Sequence, residues 1–233
     1  MLLGISQPTF FPWIGYFAFL DKIDKLIFLD NVQFEKRSWQ QRNNIKLNGQ
    51  KKFLTISVKS KGKFDQKISE VEILHDKNIE LIKKKIFFEY KKAKYFKDYY
   101  KTICDIFDKR HKYLYELNIE LIKFFIEVLN IKIDIDYSSN YSLNLKKENL
   151  IFELCKLNNC KEYLTTLGSM NYLENFKFIP ETNIKICYFE YEDIKYNQLG
   201  ENFIPKLSIL DLLLNEGKNS TNIIQKGFKI IKA

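Results

Sequence analysis

The spacing of hydrophobic and polar residues predicts an α/β fold. An apolar run at Leu2–Ser6 predicts a buried strand, and apolar residues at helical spacing after Pro12 predict a helix. A second apolar run at 25–32 predicts another buried strand. This strand–helix–strand order has the size of a right-handed βαβ unit with two parallel strands. Asn48-Gly49 then separates two alternating segments, which predicts a β-hairpin.

The rest of the chain continues the same mixture of helices and strands. Three helical patterns lie between residues 78 and 129, and their apolar stripes are typical of helix-packing faces. Further strands are predicted at 131–138, 161–167 and 183–191, and further helices at 146–159 and 203–217, the last ending at Gly217. We therefore predict a single α/β domain over residues 1–233. It has a mostly parallel sheet with flanking helices, a hairpin after the second strand and a helical insertion at about 78–129.

The turn after the first strand is rich in residues that are scarce elsewhere in the chain. Gly4, Pro8, Pro12, Trp13 and Gly15 fall within twelve positions, although the sequence has only 8 glycines, 4 prolines and 2 tryptophans. In an open parallel sheet, ligands bind beyond the carboxyl ends of the strands. The prolines would stiffen this turn, and Gly15 would allow a ligand or a neighbouring backbone to approach closely.

Polar side chains also follow the second predicted strand. Asp30 and Gln33 come at its end, on the sheet edge that Gln7 occupies after the first strand. We expect these three side chains to converge, which makes Asp30 a candidate catalytic carboxylate. The structural alternative is that Asp30 caps a turn.

The next segment holds two of the three arginines of the chain, Arg37 and Arg42, close to Trp39 and Asn43. Arginine presents a planar fork that binds carboxylate or phosphate through two hydrogen bonds, and lysine does not. Trp39 could stack on a sugar or a base. We therefore predict an anion-binding segment, with structural pairing of an arginine to Asp30 or Glu35 as the alternative.

Near the end of the chain, Ser208 is predicted to cap a helix, with Asp211 at its third position. This spacing is that of a capping box with Asp in place of Glu. The pair is structural unless the start of this helix faces the crevice, in which case its amide groups would add an anion site.

The numbers of histidines and cysteines, and the lengths of the apolar runs, limit the kinds of site and the cellular location that we expect. With only two histidines, His75 and His111, a zinc site or a Ser-His-Asp triad is poorly supplied, and both are expected to be solvated. The four cysteines do not form a CxxC motif and are expected to be buried thiols in a reducing compartment. No apolar run is long enough to cross a membrane, and no basic leader precedes an apolar stretch, so we expect a cytoplasmic protein.

The net charge of +9 permits a nucleic-acid partner. Lysine runs such as that at 83–101 contain interleaved acids, which favours solvated helix faces over a polyanion site. The tyrosine- and phenylalanine-rich helices could bury either an internal core or a homodimer interface.

Several segments, in their order along the chain, resemble the WbqC-like protein family. They are QPTFFPWIGYF, FLDNVQFEKRSWQQRNNIK, GKFDQKISEVEI, ELNIELIKFFIEVLNI and YNQLGENFIPKLSILDLLLNEG. The family motif falls on Gln7, Pro8, Pro12, Gly15, Tyr16, Asp30, Gln33, Arg42, Asn43, Ser208 and Asp211. The chain departs from the family at Ser6, which is often His, and at TTLGSMNYL, where the family turn is richer in glycine.

The resemblance implies a role in making O-antigen or related surface polysaccharides, by transfer of glycine or a similar acyl group to an amino sugar. On this hypothesis Asp30 accepts or orients the amine. Arg42 and Arg37 bind phosphate or carboxylate. Gln7, Gln33 and Asn43 hold sugar hydroxyls or an oxyanion. The aromatic side chains of Trp13, Tyr16 and Trp39 form the wall of the pocket.

The acyl donor stays open between a glycyl adenylate made from ATP and glycyl-tRNA. A weaker resemblance links the first strand–helix–strand unit to adenylate-forming nucleotidyltransferases. Their His-x-Gly-His turn keeps only Gly15 here, because Trp13 and Tyr16 replace the histidines. This turn is still compatible with nucleotide binding. It is not compatible with nucleotidyl transfer by that route, because the histidines that stabilise the phosphoryl transition state are absent. The alternative function is a non-catalytic protein that binds a sugar nucleotide or RNA and assists a separate transferase.

Overall fold

The computed structural model describes residues 1–75, 77–173 and 184–232. Its strands are β1 (Leu2–Ser6), β2 (Lys25–Phe28), β3 (Arg42–Leu47), β4 (Gln50–Thr55), β5 (Asp134–Tyr137), β6 (Glu162–Thr166), β7 (Lys185–Tyr191) and β8 (Phe228–Lys232). Its α-helices are α1 (Ile14–Leu20), α2 (Lys77–Tyr90), α3 (Phe96–Asp108), α4 (Leu114–Val128), α5 (Lys147–Leu157), α6 (Met170–Leu173), α7 (Ile209–Glu216) and α8 (Ser220–Lys226). Short 3₁₀ turns, among them Ser138–Tyr141 after β5, connect some of these elements.

The main sheet has six strands in the order β5-β2-β1-β6-β7-β8. The first five are parallel to one another, and β8 pairs antiparallel with β7. This arrangement confirms the predicted mostly parallel α/β fold. Two elements that follow Gly217, α8 and β8, were not predicted from the sequence pattern. The predicted end of the preceding helix at that glycine is confirmed, and its φ of 55° is accessible to glycine at little cost.

Both faces of the sheet are covered by helices. On one face, α1, α4 and α7 bury apolar side chains that include Phe17, Phe125 and Leu213. On the other face, α5 packs Leu150 and Leu154 against the sheet. Because both faces are covered, the central strands β1 and β2 are nearly continuous apolar runs.

The β3–β4 hairpin forms a separate two-stranded sheet. Asn48 and Gly49 both have positive φ angles, of 51° and 69°, as in a type I′ turn. The hairpin predicted at this dipeptide is therefore confirmed. The three helices α2, α3 and α4 follow it before the chain returns to the main sheet at β5, so the helical insertion begins and ends within two residues of the predicted bounds.

Candidate functional site

A cleft of about 580 Å³ opens beside the carboxyl ends of β1 and β2. Its position agrees with the rule that open α/β sheets bind ligands beyond the carboxyl ends of their strands. Polar and charged side chains alternate with leucines and isoleucines around it. The lining residues are Gln7, Leu29, Asn31, Val32, Gln33, Asp65, Lys67, Leu143, Asn144, Leu145, Lys146, Lys147, Leu150 and Ile151.

Gln7 reaches the cleft directly after β1, and a buried neighbour fixes its amide. The side-chain amide of Gln40 donates to Gln7 Oε1 at 2.8 Å, and Gln40 Oε1 accepts from the backbone N–H of Glu35 at 3.2 Å. Gln40 is only 2% exposed, so this orientation is held from within the protein. The NH₂ group of Gln7 has no acceptor within the described residues and remains available to a ligand.

One wall of the cleft is formed by two segments that pair with each other after β2. The backbone N–H of Phe34 donates to Gln66 O, and the side-chain amide of Gln33 donates to Phe64 O at 3.1 Å. These contacts place Asp65 and Lys67 in the same wall. The predicted convergence of Gln7 and Gln33 thus agrees with the position of both residues in the cleft.

Asp65 was missed by the sequence reasoning as a site residue. It is the single acidic side chain among the described residues that line the cleft. The signal that could have found it is its place in GKFDQKISEVEI, a segment of the family resemblance to which no role was assigned.

Another part of the cleft lining is cationic. Lys146 and Lys147 line the cleft at the N-terminus of α5, where the free backbone N–H groups and the helix dipole add positive potential. Lys67 also lines the cleft. Three lysines against one carboxylate make the cleft suitable for an anionic ligand that also carries an amine or several hydroxyl groups.

Asp30 does not line the cleft. Its carboxylate is buried and accepts three hydrogen bonds, from Ser138 Oγ at 3.0 Å, the Ser139 N–H at 3.0 Å and Ser139 Oγ at 2.7 Å. It therefore anchors the 3₁₀ turn after β5 to the end of β2, which matches the turn-capping alternative. A catalytic role for Asp30 stays a prediction.

Arg37, Trp39 and Arg42 lie on or next to the hairpin and do not line the cleft. Within the described chain, neither arginine forms an ion pair with Asp30 or Glu35. The Arg42 guanidinium stacks on the ring of Phe53 instead, 4.1 Å from its centre. The arginines are thus kept apart from the cleft residues with which the sequence analysis grouped them.

Trp13, Gly15 and Tyr16 are used in packing at the start of α1. A Cβ atom at Gly15 would lie 2.2 Å from the Trp13 ring, and that ring packs edge-on against Tyr191. Tyr16 is buried, and burial raises the pKa of its hydroxyl, an effect that the nearby Ser6 hydroxyl partly offsets. None of these three residues lines the cleft, and the space beside Gly15 is filled by the Trp13 ring and not by a ligand.

The prolines of this turn present carbonyl groups to neighbouring elements. Asn118 of α4 donates to Pro8 O at 3.0 Å, and the Ile209 N–H donates to Pro12 O at 2.9 Å. The crowding of scarce residues between β1 and β2 therefore serves to dock the turn onto α4 and α7.

The predicted capping box at α7 is half correct. Ser208 caps the helix by accepting from the Leu210 N–H at 3.2 Å. Asp211 does not reach back to the Ser208 N–H, which donates to Asn44 O. Its carboxylate accepts from Tyr90 Oη and Tyr196 Oη instead, both at 2.8 Å.

The cluster of Asp211, Tyr90 and Tyr196 is buried and structural. Burial raises the pKa of Asp211, against the hydrogen bonds from the two tyrosines, and burial likewise raises the pKa of both tyrosines. Asn43 is also buried, and its Oδ1 accepts from the Asn44 N–H at 2.8 Å. These residues hold α7, α2 and β3 together and are not exposed to a ligand.

The structure also shows where the cysteines and histidines lie and whether any described helix could span a membrane. Among the described residues, no three His, Cys, Asp or Glu side chains are grouped so as to hold a metal ion. All four cysteines are free thiols; Cys104 is half-buried and the other three are buried. His75 is exposed as expected, but His111 is partly buried against Glu120. No helix in the described ranges has the length and apolarity to span a membrane.

Comparison with known proteins places this chain in a family. The family model described as the WbqC-like protein family matches residues 7–223. The chain is also 30% identical over 225 residues to the "Uncharacterized protein Rv1507c" of Mycobacterium tuberculosis (strain ATCC 25618 / H37Rv), covering 96% of this chain and 97% of that one. No solved structure matches it. The matched range includes every residue of the cleft, and this chain belongs to the WbqC-like protein family.

Proposed function

We propose that this protein is an acyltransferase that joins glycine, or a similar acyl group, to the amino group of a nucleotide-linked amino sugar. The product would serve O-antigen or related surface-polysaccharide synthesis, as the family resemblance implies. The observation that carries the proposal is the cleft beside β1 and β2, with three lysines, one carboxylate and several side-chain amides around about 580 Å³.

The cationic wall suits the diphosphate of a sugar nucleotide. Lys146 and Lys147 lie beside the N-terminus of α5, so side-chain charge and backbone N–H groups act on the same anion. The side-chain amides of Gln7, Asn31 and Gln33 can both donate hydrogen bonds to sugar hydroxyls and accept them. Lysine only donates, so the amides add recognition of the sugar to the binding of the phosphates.

Asp65 is the residue we assign to the amine. Amide formation requires a neutral amine to attack the acyl carbonyl, with one proton leaving the nitrogen and the leaving group departing from the acyl carbon. A carboxylate in the cleft can accept a hydrogen bond from the neutral amine, which orients it, and then take the one proton that leaves the nitrogen. The free NH₂ group of Gln7 can donate to the oxyanion that forms on the acyl carbon.

Two properties of the proposal follow from its substrates. The donor is either a glycyl adenylate formed from ATP or glycyl-tRNA. The compartment is the cytoplasm, because sugar nucleotides and both donors are made there.

The test is a binding and turnover experiment on the purified full-length chain. Calorimetry with UDP- and dTDP-linked amino sugars should give binding that Lys146→Gln/Lys147→Gln weakens by about tenfold or more, because two phosphate contacts are lost. Lys101→Gln is the matched control, since Lys101 is an exposed lysine of α3 outside the cleft. Incubation with glycine and ATP, or with glycyl-tRNA, should then yield the N-glycylated sugar nucleotide. Equal binding by both variants would contradict the proposal.

One observation favours the second candidate, a non-catalytic protein that binds the sugar nucleotide and assists a separate transferase. Among the described residues that line the cleft, Asp65 has no second carboxylate or histidine as an acid–base partner. Tight binding of the amino-sugar nucleotide without turnover from either donor would support this second candidate.

A further inference from the structure

The net positive charge of the protein is concentrated in one segment. Residues 36–63 contain nine lysines and arginines and no aspartate or glutamate. The other 205 residues contain 29 basic and 29 acidic residues, so they carry no formal net charge. The interpretation of the charge as solvated helix faces therefore describes helices such as α2 and α3 but does not account for the excess of +9.

This acid-free segment consists of the β3–β4 hairpin and the chain that flanks it on both sides. The flanks are joined at the base of the hairpin, where the Ile56 N–H donates to Gln41 O at 2.8 Å and the Gln41 side chain donates to Ile56 O. Its basic residues are therefore gathered around one small substructure. Among the described residues, Lys59 with Glu72 is the one ion pair that any of the nine forms. Lys46 is buried and its ammonium group donates to Asn202 O. The other seven, among them Lys51, which donates to Pro205 O at 3.2 Å, form no ion pair in the described chain and can attract a polyanion.

Exposed aromatic rings lie within the same segment. Trp39 is 52% exposed and Phe53 is 43% exposed, and their ring centres are 6.0 Å apart. The Arg42 guanidinium stacks on Phe53, and Lys51 lies on the same face of the hairpin because alternate strand residues share a face. We call Trp39, Arg42, Lys51 and Phe53 the hairpin surface.

A second contact between a basic side chain and an exposed aromatic ring lies where the acid-free segment meets the cleft. Lys36 Nζ is 5.4 Å from the ring centre of Phe64, which is 77% exposed. Phe64 immediately precedes Asp65, the carboxylate of the cleft. The acid-free segment thus begins three residues after Gln33 and ends two residues before Asp65.

Flat aromatic and guanidinium groups among unpaired cations are the features that bind single-stranded nucleic acid. Unpaired bases expose two faces that stack on aromatic rings, and the phosphates bind to lysine and arginine. A duplex hides those faces. An anionic membrane would attract the same charge but binds amphipathic helices with large apolar faces, whereas these rings belong to a hydrogen-bonded hairpin.

We propose that the hairpin surface binds single-stranded RNA. Bases stack on Trp39 and Phe53, and phosphates bind Arg42, Lys51 and the other exposed basic residues of 36–63 that form no ion pair. If the proposed transferase function also holds, this RNA is the single-stranded acceptor end of an aminoacyl-tRNA, which the surface leads toward the cleft.

The test measures binding of a fluorescently labelled 12-nucleotide single-stranded RNA to the full chain by anisotropy, at 50 and 200 mM salt. We expect binding that weakens steeply with salt and that Phe53→Ala or Arg42→Ala weakens by about tenfold or more. Phe88→Ala is the matched control, because Phe88 is 64% exposed with Lys91 Nζ 5.4 Å from its ring but lies on α2, outside the acid-free segment. This control should bind like the unchanged protein.

Trp39 gives a second, direct readout. The chain has only two tryptophans, and Trp13 is packed against Tyr191, so quenching of emission by RNA should come from Trp39. Trp39→Phe should abolish the quenching while retaining much of the affinity, since a stacking ring remains.

Three outcomes would overturn the proposal. They are the absence of RNA binding at 50 mM salt, equal binding by the Phe53→Ala and Phe88→Ala variants, and tighter binding to vesicles of phosphatidylglycerol and phosphatidylcholine than to RNA. The Lys146→Gln/Lys147→Gln variant separates this proposal from the transferase. It should bind RNA normally at the hairpin surface even if the cleft proves to bind no sugar nucleotide.

Discussion

The guanidinium carbon of Arg42 lies 4.1 Å from the centre of the Phe53 ring on a partly exposed face of the β3–β4 hairpin. A cation–π contact at an exposed site contributes only about 0.5–1 kcal/mol to stability. Arg42→Lys should therefore change the free energy of unfolding by less than about 1 kcal/mol. Urea denaturation of the variant and the unchanged protein measures this difference. A much larger loss would mean that Arg42 supports the fold and does not serve a ligand.

The two carboxylates Asp30 and Asp65 should respond differently to the same substitution. Asp30→Asn should lower the free energy of unfolding by about 1–3 kcal/mol, because the Ser138 and Ser139 donors lose a charged, buried acceptor. Asp65→Asn should leave stability within about 0.5 kcal/mol, since Asp65 is exposed.

Ligand binding by these two variants should show the reverse pattern. Asp65→Asn should weaken binding of an amino-sugar nucleotide by about tenfold, because an amine loses a charged hydrogen-bond partner, and leave binding of plain UDP unchanged. Calorimetry with both ligands checks this. If Asp30→Asn alone weakened binding of the amine, the assignment of Asp65 would be wrong.

Asp211 should make stability depend on pH in an unusual direction. Burial raises its pKa above the ordinary value of 3.8, so the folded chain holds this proton more tightly than the unfolded chain does. The contribution of Asp211 to stability is therefore full below pH 3.8 and falls as the pH rises through its folded-state pKa. Asp211→Asn removes this titration. The stability of the unchanged protein relative to this variant should thus decrease from pH 4 to pH 8, as measured by urea denaturation at each pH.

The neighbouring tyrosines provide a control for the Asp211 cluster. Tyr90→Phe removes one of the two hydroxyl donors to the carboxylate and leaves the ring in place. It should lower the free energy of unfolding by about 1–2 kcal/mol, because the buried Asp211 carboxyl group loses a hydrogen-bond donor. No change would contradict the buried hydrogen-bond cluster.

Asp136 should act in the opposite direction to Asp211. Partial burial alone would raise its pKa, but hydrogen bonds from Lys25, Tyr141 and Asn140 outweigh that effect and lower it. Its stabilising contribution is therefore full above pH 3.8 and is lost as the pH falls through the lowered pKa. Asp136→Asn should destabilise the protein at pH 7, and the difference should shrink below pH 3.8. Lys22, whose partner is its chain neighbour Asp21, supplies the control variant Lys22→Met, which should have little effect.

Gly15→Ala should disturb the start of α1 although alanine is the better helix former. A Cβ atom at this position would lie 2.2 Å from the Trp13 ring, so the ring has to move away from Tyr191. We expect a loss of about 1–3 kcal/mol in the free energy of unfolding together with a red shift of tryptophan emission. An unshifted spectrum with unchanged stability would contradict this packing. Gly168→Ala is the control, because its nearest neighbour atom would be 3.9 Å away.

The start of α7 shows which contacts a local sequence pattern predicts correctly and which it does not. Ser208 caps α7 as its sequence position predicts, because capping involves only the first turn of the helix. Asp211 was assigned to the same cap, but the hydroxyls of Tyr90 and Tyr196, distant in sequence, bind its carboxylate. The candidate site divides in the same way. Gln7 and Gln33 follow strands and lie in the cleft as expected, whereas Arg37, Trp39 and Arg42 lie on the hairpin.

The sequence by itself determined the features that depend on near neighbours in the chain. Apolar runs specified the buried strands, Asn48-Gly49 specified the hairpin turn, and residues 36–63 already contained the whole excess of positive charge. Only the tertiary structure decided which of two nearby carboxylates faces the cleft. Asp30 is bound by serines from a segment more than a hundred residues away, while the pairing of two loops brings Asp65 into the wall. Such contacts depend on the packing of distant segments, and local periodicity carries no information about that packing.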